Sequence, residues 1–289
     1  MKLVKTVAVL SVAFAASSAF AANPASGFSL NNVKGVKHIV PTVETNQNDA
    51  NFGKAAINVV DSNAKTTNKN GLANNQPVSF AKIDATANRF FVKRFAHSIL
   101  GKDKNGVTVA NLYRMKGIVW DNIPRMPDHS HLGRLSYSKV GNMDVYFGDW
   151  SAVPSGAAVG TKGTNYTAFY SGTGRTTNLP TTGTATYTVK GINQYHAQNS
   201  AVLNGTLTAD FSSNKLSGSL KNSGLTIAIN NAAIKTAEAS FSGNATANGT
   251  AGTTRGHFFG NQGAAIAGVA EFGRNHAYNT AFGGTKTGK

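Results

Sequence analysis

Not one of the 289 residues is cysteine. That absence removes disulfide bridges, thiolate zinc sites and a cysteine nucleophile together. Acidic side chains are scarce as well: 12 Asp and Glu stand against 28 Lys and Arg, for a formal charge of +16. Carboxylates spread so thinly give little material for paired acid–base chemistry, and no HExxH or Gly-x-Ser-x-Gly motif is present. No GxxxxGK[ST] occurs, nor a GxGxxG between a strand and a helix, so the 31 glycines read as structural rather than phosphate-binding. The residues therefore point to binding rather than catalysis. Nucleic acid is disfavoured, because the basic residues are scattered instead of forming a stripe interleaved with stacking aromatics.

The one long apolar run lies at the start. Lys2 and Lys5 form a basic n-region, Thr6–Ala16 an apolar segment too short to span a bilayer, and Ala19-Phe20-Ala21 a small-x-small cleavage site. Residues 1–21 are expected to be a secretory signal, with the mature chain beginning at Ala22. About 268 residues then remain, carrying a charge of about +14 and enough for one large or two modest domains. Such a charge favours anionic partners, among them lipopolysaccharide, acidic proteins and carboxylate-bearing cofactors.

Texture divides the rest. Residues 22–76 are rich in Asn, Thr, Ala and Lys, with short apolar runs such as Lys37–Val43, where Pro41 permits edge structure at best. Within Ala81–Leu100 the apolar residues Ile83, Ala87, Phe90, Phe91, Phe95 and Ile99 recur at helical spacing, which predicts an amphipathic helix. Leu112–Trp120 reads as a strand, and Pro124–Gly133, with two prolines and a closing glycine, as a loop. From Arg134 on, short runs alternate with Gly, Asn, Ser and Thr in the manner of an antiparallel meander. Leu207, Ala209 and Phe211 alternate toward one face, Ser212–Lys215 turn the chain, and Leu216, Gly218 and Leu220 resume the alternation. Glycines among large inward residues suit a small closed barrel of about eight strands.

Three segments carry a family resemblance. Ala209–Leu220, Gly256–Phe272 (Gly-His-Phe-Phe-Gly-Asn-Gln-Gly-Ala-Ala-Ile-Ala-Gly-Val-Ala-Glu-Phe) and Ala281–Lys286 (Ala-Phe-Gly-Gly-Thr-Lys) resemble a barrel hairpin, the penultimate hairpin and the closing strand of the transferrin-binding-protein-B-like surface proteins. The lipidated members are anchored through an N-terminal cysteine, which this chain lacks. The signal peptide, irregular N-terminal region and small C-terminal barrel are instead similar to the haemophilins, the secreted haemophores of that superfamily.

The resemblance implies a mainly β fold. An irregular handle-like domain with little helix over residues 22–134 would precede an antiparallel eight-stranded barrel domain over residues 135–289. It also implies non-covalent haem b as the cofactor and export from a Gram-negative cell through a Slam-type outer-membrane assembly modulator. A TonB-dependent haem receptor would be the recipient, with haemoglobin among the candidate sources of haem. A module that binds a host protein on the same scaffold without haem is the alternative.

Seven histidines supply the candidate iron ligands. His129 and His131 are two apart, so both rings can face one site; read from the residues alone they are equally two ordinary surface histidines, and the resemblance moves them toward ligation of haem iron. Met126 is a further axial candidate, and zinc on the pair plus Asp128 is a weaker alternative. His97 could approach a porphyrin or cap the expected helix, His38 is equally a second axial ligand or edge-strand surface, and Tyr195 or His196 could cover a haem edge. Arg125, Arg134 and Lys139 are candidate partners for the propionates, since charge-assisted bonds to carboxylate suit Arg best. Phe90, Phe91, Phe95, Tyr113, Trp120, Tyr146 and Trp150 surround the histidine pair in sequence and could wall a pocket.

Overall fold

Alternation between apolar and small polar residues is regular in the C-terminal third, and there it produces a closed barrel. The structure, a computed structural model, describes residues 23–30, 37–62, 71–87, 99–115, 129–154, 157 and 160–287. Eight antiparallel strands follow one another around the barrel: β10 (Thr184–Ile192), β11 (Leu203–Asp210), β12 (Lys215–Lys221), β13 (Thr226–Lys235), β14 (Ser240–Ala247), β15 (Thr250–Phe259), β16 (Ala265–Glu271) and β17 (Thr280–Thr287), with β17 returning to pair with β10. In β10 the inward set Ala185, Tyr187 and Val189 is buried while Thr184, Thr188 and Lys190 are exposed, as a period of two demands. Leu207, Ala209, Phe211, Leu216 and Leu220 fill the interior with Phe241, Phe258 and Phe282. Gly268 belongs to this filling, because a Cβ there would stand 2.9 Å from the rings of both Phe241 and Phe282.

The N-terminal part is built on a six-stranded antiparallel sheet. Its strands are β1 (Ala25–Phe28), β5 (Ile99–Leu100), β6 (Val107–Met115), β7 (His129–Lys139), β8 (Val145–Ala152) and β9 (Thr164–Gly172), in the order β1-β9-β8-β7-β6-β5. A second sheet of β2 (Lys37–Val43), β3 (Ala55–Asp61) and β4 (Val78–Ser79) leads into α1 (Phe80–Ala87). Ser79 caps that helix, its Oγ accepting from the Lys82 N–H at 3.1 Å. Phe80 and Ile83, three apart on one face, are fully buried.

Both faces of the six-stranded sheet are covered. Leu135, Tyr137, Tyr146, Trp150 and Phe169 pack against Ile39, Ile57, Val59, Phe80 and Ile83 on one side. On the other, Val145, Phe147, Ala168 and Tyr170 pack against Ala265, Ala267, Val269 and Ala281 of the barrel wall. Burial on two sides turns β8 into a nearly continuous buried run instead of an alternating one.

Several expectations change. The runs at 144–150 and 164–170, read as barrel strands, are β8 and β9 of the six-stranded sheet. The division expected at 134/135 falls inside β7, whereas the chain passes from sheet to barrel between Gly172 and Thr184. Strands in the two sheets share short runs and glycine turns, and pairing alone tells them apart. The helix expected over 81–100 is α1 at its start, while Ile99 and Leu100 pair with Ala110 and Val109 of β6; residues 88–98, with Phe90, Phe91, Phe95 and His97, lie outside the described residues. The edge placement of Lys37–Val43 holds, with Pro41 on the outermost strand of its sheet.

Candidate functional site

The expected loop Pro124–Gly133 is a strand from His129 onward. Gly133 is the reason: it adopts φ +104° and forms a bulge, in which Leu112 pairs with Gly133 and Tyr113 with His131, leaving Leu132 as the extra residue. A Cβ at Gly133 would lie 2.3 Å from Trp150 Nε1, so only glycine fits. Trp150 Nε1 donates to the Leu132 carbonyl at 3.0 Å, and the Gly133 N–H donates to His131 Nδ1 at 2.8 Å. Together these bonds turn the His131 ring inward, edge-on to Tyr113 with centroids 4.8 Å apart.

That geometry settles the state of His131. Burial, then Arg134, then Lys37 hold its pKa down to about 4, so the ring is neutral near pH 7. With Nδ1 accepting from Gly133, the ring proton sits on Nε2. Iron would reach Nε2 only if that proton moved and the Gly133 bond broke. His129 pairs with Met115 at the start of β7; its side chain, with Arg125, Met126, Asp128 and Trp120, lies outside the described residues. Among the described residues, no group of three or more His, Asp or Glu could hold a metal ion.

Arg134 is not available to a propionate. It is 2% exposed, its Nε donates to Asn111 Oδ1 at 2.9 Å, and Nη1 donates to the carbonyls of Thr161 and His196. Tyr195 is likewise internal: its hydroxyl donates to Asp103 Oδ2 and accepts from Asn105 Nδ2, and its N–H donates to Asp149 Oδ2 at 2.8 Å. Burial raises the Tyr195 pKa. Both residues were expected beside a ligand, and both instead pin the loop after β10 to the six-stranded sheet. His196 joins this pin through its carbonyl, and its half-buried ring bonds to the Gln194 carbonyl at 3.1 Å. Lys139 lies over the Tyr146 ring at 5.9 Å. His257 shares a 2.7 Å hydrogen bond with Tyr170 across the junction of sheet and barrel, a structural role.

His38 differs from all of these. In β2 the residues Ile39 and Pro41 point into the core, so His38 and Val40 face outward, where they pair with Val60 and Asn58 of β3. Antiparallel partners share a face, and His38, Val40, Asn58 and Val60 therefore form one half-buried patch. Within it, His38 Nδ1 and Asn58 Oδ1 are buried without a hydrogen-bond partner. Buried polar atoms left unpaired are rare enough in native folds to call for an explanation, a bound group among them. Lys37, next in the chain, donates to the His131 carbonyl at 2.7 Å, so the start of β2 adjoins the start of β7. Asn58 escaped the sequence reading; the polar residue in Ala-Ala-Ile-Asn-Val-Val-Asp was its only signal.

The fold is thus a β domain with both faces of its main sheet covered, followed by a closed eight-stranded antiparallel barrel. Residues 40–164 match the family model of the HphA N-terminal heme-binding domain, and residues 177–286 that of the HphA C-terminal domain. Residues 165–176, between the two matches, hold most of β9 and the start of the passage to the barrel, and the chain belongs to this family, the haemophilins. Among solved structures, apo HpuA from Kingella denitrificans is similar at 18% identity over 78% of this chain and 92% of its own, with a TM-score of 0.44. HpuA from Kingella denitrificans in complex with human haemoglobin gives 19%, 78%, 93% and 0.41. Isotype 1 transferrin binding protein B from serogroup B Neisseria meningitidis gives 18%, 54%, 34% and 0.36.

Proposed function

We propose that this protein is a haem carrier that holds one haem b non-covalently in its N-terminal domain, with His38 as an axial ligand. The observation that carries the reading is the unpartnered His38 Nδ1 on the strand face it shares with Val40, Asn58 and Val60, at the edge of the region matched to a heme-binding domain. A histidine that ligates metal through one nitrogen usually hands its other N–H to an acceptor that fixes the ring. Asn58 Oδ1, the second unpartnered atom of the patch, is not bonded to His38 in the haem-free chain and would take that role once the ring turns to iron, while Val40 and Val60 supply apolar surface for a porphyrin face. Bound haem would contribute an iron centre open to ligation and two anionic propionates; the net positive charge of the chain draws the latter in. With no cysteine, thioether attachment has no residue to use, which supports the non-covalent form.

Secretion through the signal at 1–21, Slam-type export, acquisition of haem from haemoglobin and its delivery to a TonB-dependent outer-membrane receptor belong to the same proposal, and rest on the family resemblance. Transfer is tested by mixing the haem-loaded protein with receptor-bearing cells. Haem-dependent growth that needs both the protein and the receptor supports delivery, and growth without the receptor contradicts it. Ligation is tested by titrating haemin into the wild-type chain and His38→Ala. Loss or a marked shift of the Soret band in the variant supports the assignment, and an unchanged spectrum and affinity overturn it.

A further inference from the structure

At the other end of β2 the chain encloses a cavity that the haem proposal does not use. Residues 44–46, 71–73, 75–78 and Lys82 surround about 400 Å³, a volume in the range of small-ligand sites. Residues 39–43 of β2 separate it from His38, roughly 20 Å at strand rise, so the two sites are independent.

Its wall contains a buried carboxylate. Glu44 is only 3% exposed, and its backbone is clamped on both sides, the N–H donating to the Lys54 carbonyl at 2.8 Å and the carbonyl accepting from the Gly53 N–H at 2.9 Å. Oε1 accepts from the Asn46 N–H at 3.1 Å, and no hydrogen bond from the described residues reaches Oε2. Oε2 is not among the side-chain atoms shut off from solvent without a partner, so it meets the cavity and has accepting capacity to spare. The cation on the rim, Lys82, is engaged elsewhere, with Nζ 2.5 Å from Asp49 Oδ2. With Lys82 paired to Asp49, Glu44 is the one carboxylate on the lining and has no ion pair there among the described residues, in a chain whose total is +16.

The opposite wall is held open. Ala73 and Asn75 sit at φ 60° and 52°, a left-handed conformation that costs energy in side-chain-bearing residues. Hydrogen bonds fix it there: the Val59 N–H donates to the Ala73 carbonyl at 2.8 Å, the Asn75 N–H to the Val59 carbonyl at 3.0 Å, and the Asp61 N–H to Asn75 Oδ1 at 2.9 Å. Leu72 adds an apolar surface along which a methylene stem can lie.

We infer that this cavity binds a nitrogen cation, a guanidinium or primary ammonium group, with Glu44 Oε2 accepting its N–H. A free small molecule and an Arg or Lys side chain of a partner share that chemistry. The test is an amide NMR titration of the full chain, free of haem, with methylguanidinium and, at equal concentration, its neutral counterpart methylurea. Saturable shifts at Asn46, Ala73 and Asn75 with methylguanidinium alone support the site; equal shifts with methylurea, or none with either, overturn it. Glu44→Gln keeps an acceptor for the Asn46 N–H and removes the charge. It should weaken methylguanidinium at least tenfold, and unchanged binding contradicts the inference. Should the variant fail to fold, the comparison of the two probes on the wild-type chain decides alone. A Gly-Arg-Gly peptide then separates the sources: shifts at the same amides show that a side chain can enter, and binding of methylguanidinium without the peptide assigns the site to small molecules. Saturable displacement of methylguanidinium by micromolar calcium would overturn the inference in favour of a metal site.

Discussion

Moving the pH in either direction from about 6.5 should destabilise the folded chain, because buried His131 and Asp149 and half-buried His257 titrate with opposite signs. His131 and His257 are held down to about 4 from 6.5, each chiefly by burial and next by a guanidinium, Arg134 for the first and Arg175 for the second. Asp149 is pushed up to about 8 from 3.8 by burial, against the lowering effects of the Tyr195 N–H and Arg134. Stability from the histidines is complete above 6.5 and is lost as pH falls toward 4. Stability from Asp149 is complete below 3.8 and is lost as pH rises through 8.

Between pH 4 and 6.5 the unfolded chain holds two histidine protons that the folded chain lacks, and the folded chain holds one on Asp149. The net difference of one proton makes stability rise by about 1.4 kcal/mol per pH unit, about 3 kcal/mol over the interval. From 6.5 to 8 only Asp149 contributes, and stability falls by about 2 kcal/mol. Urea unfolding at fixed ionic strength from pH 4.5 to 8.5, followed by tryptophan fluorescence, should trace this dome. Asp149→Asn mimics the neutral carboxyl and should flatten the alkaline limb while leaving the acid limb in place. Wild-type stability that climbs steadily through pH 8, or an alkaline limb that persists in the variant, would refute the reasoning.

Other changes have expected outcomes of their own. Asn58→Leu removes the acceptor assigned to the His38 ring and should weaken haem about 10- to 100-fold with little change in the unfolding midpoint, read by competition with apomyoglobin. Tyr195→Phe strips Asp103 and Asn105 of a shared partner and should cost about 1–3 kcal/mol in urea unfolding. Gly148→Ala places a Cβ 2.0 Å from the Ser136 carbonyl oxygen and should cost about 1–3 kcal/mol or more, whereas Gly101→Ala, with open space around it, should leave the melting temperature nearly unchanged.

The barrel was legible because its strands have one dry face and one wet one. Alternation such as Leu207, Ala209, Phe211 states which side chains point inward, and Asn and Gly mark the turns. The six-stranded sheet was legible only as strands. With Tyr146 and Trp150 packed on one side and Val145 and Phe147 on the other, no alternation remains to say which sheet β8 joins. The histidine pair was visible as chemistry but not as geometry. His131 is turned inward by a bulge at Gly133 and by Trp150, a contact made 18 residues along the chain. Arg134 and Tyr195 drew attention by type, a basic and an aromatic residue beside histidines. Their partners, Asn111 and Thr161 for one and Asp103, Asn105 and Asp149 for the other, come from segments distant in sequence, which no local pattern shows. Only the fold shows that they brace the seam between sheet and barrel.

The central claim is that the N-terminal domain carries haem through His38. It is tested most directly by a haemin titration of residues 22–289 beside their His38→Ala variant. The account predicts a saturable one-to-one Soret shift in the wild type that is lost or displaced in the variant. A wild-type titration without a saturable shift would contradict it, and would turn attention to a scaffold that binds a protein partner without haem.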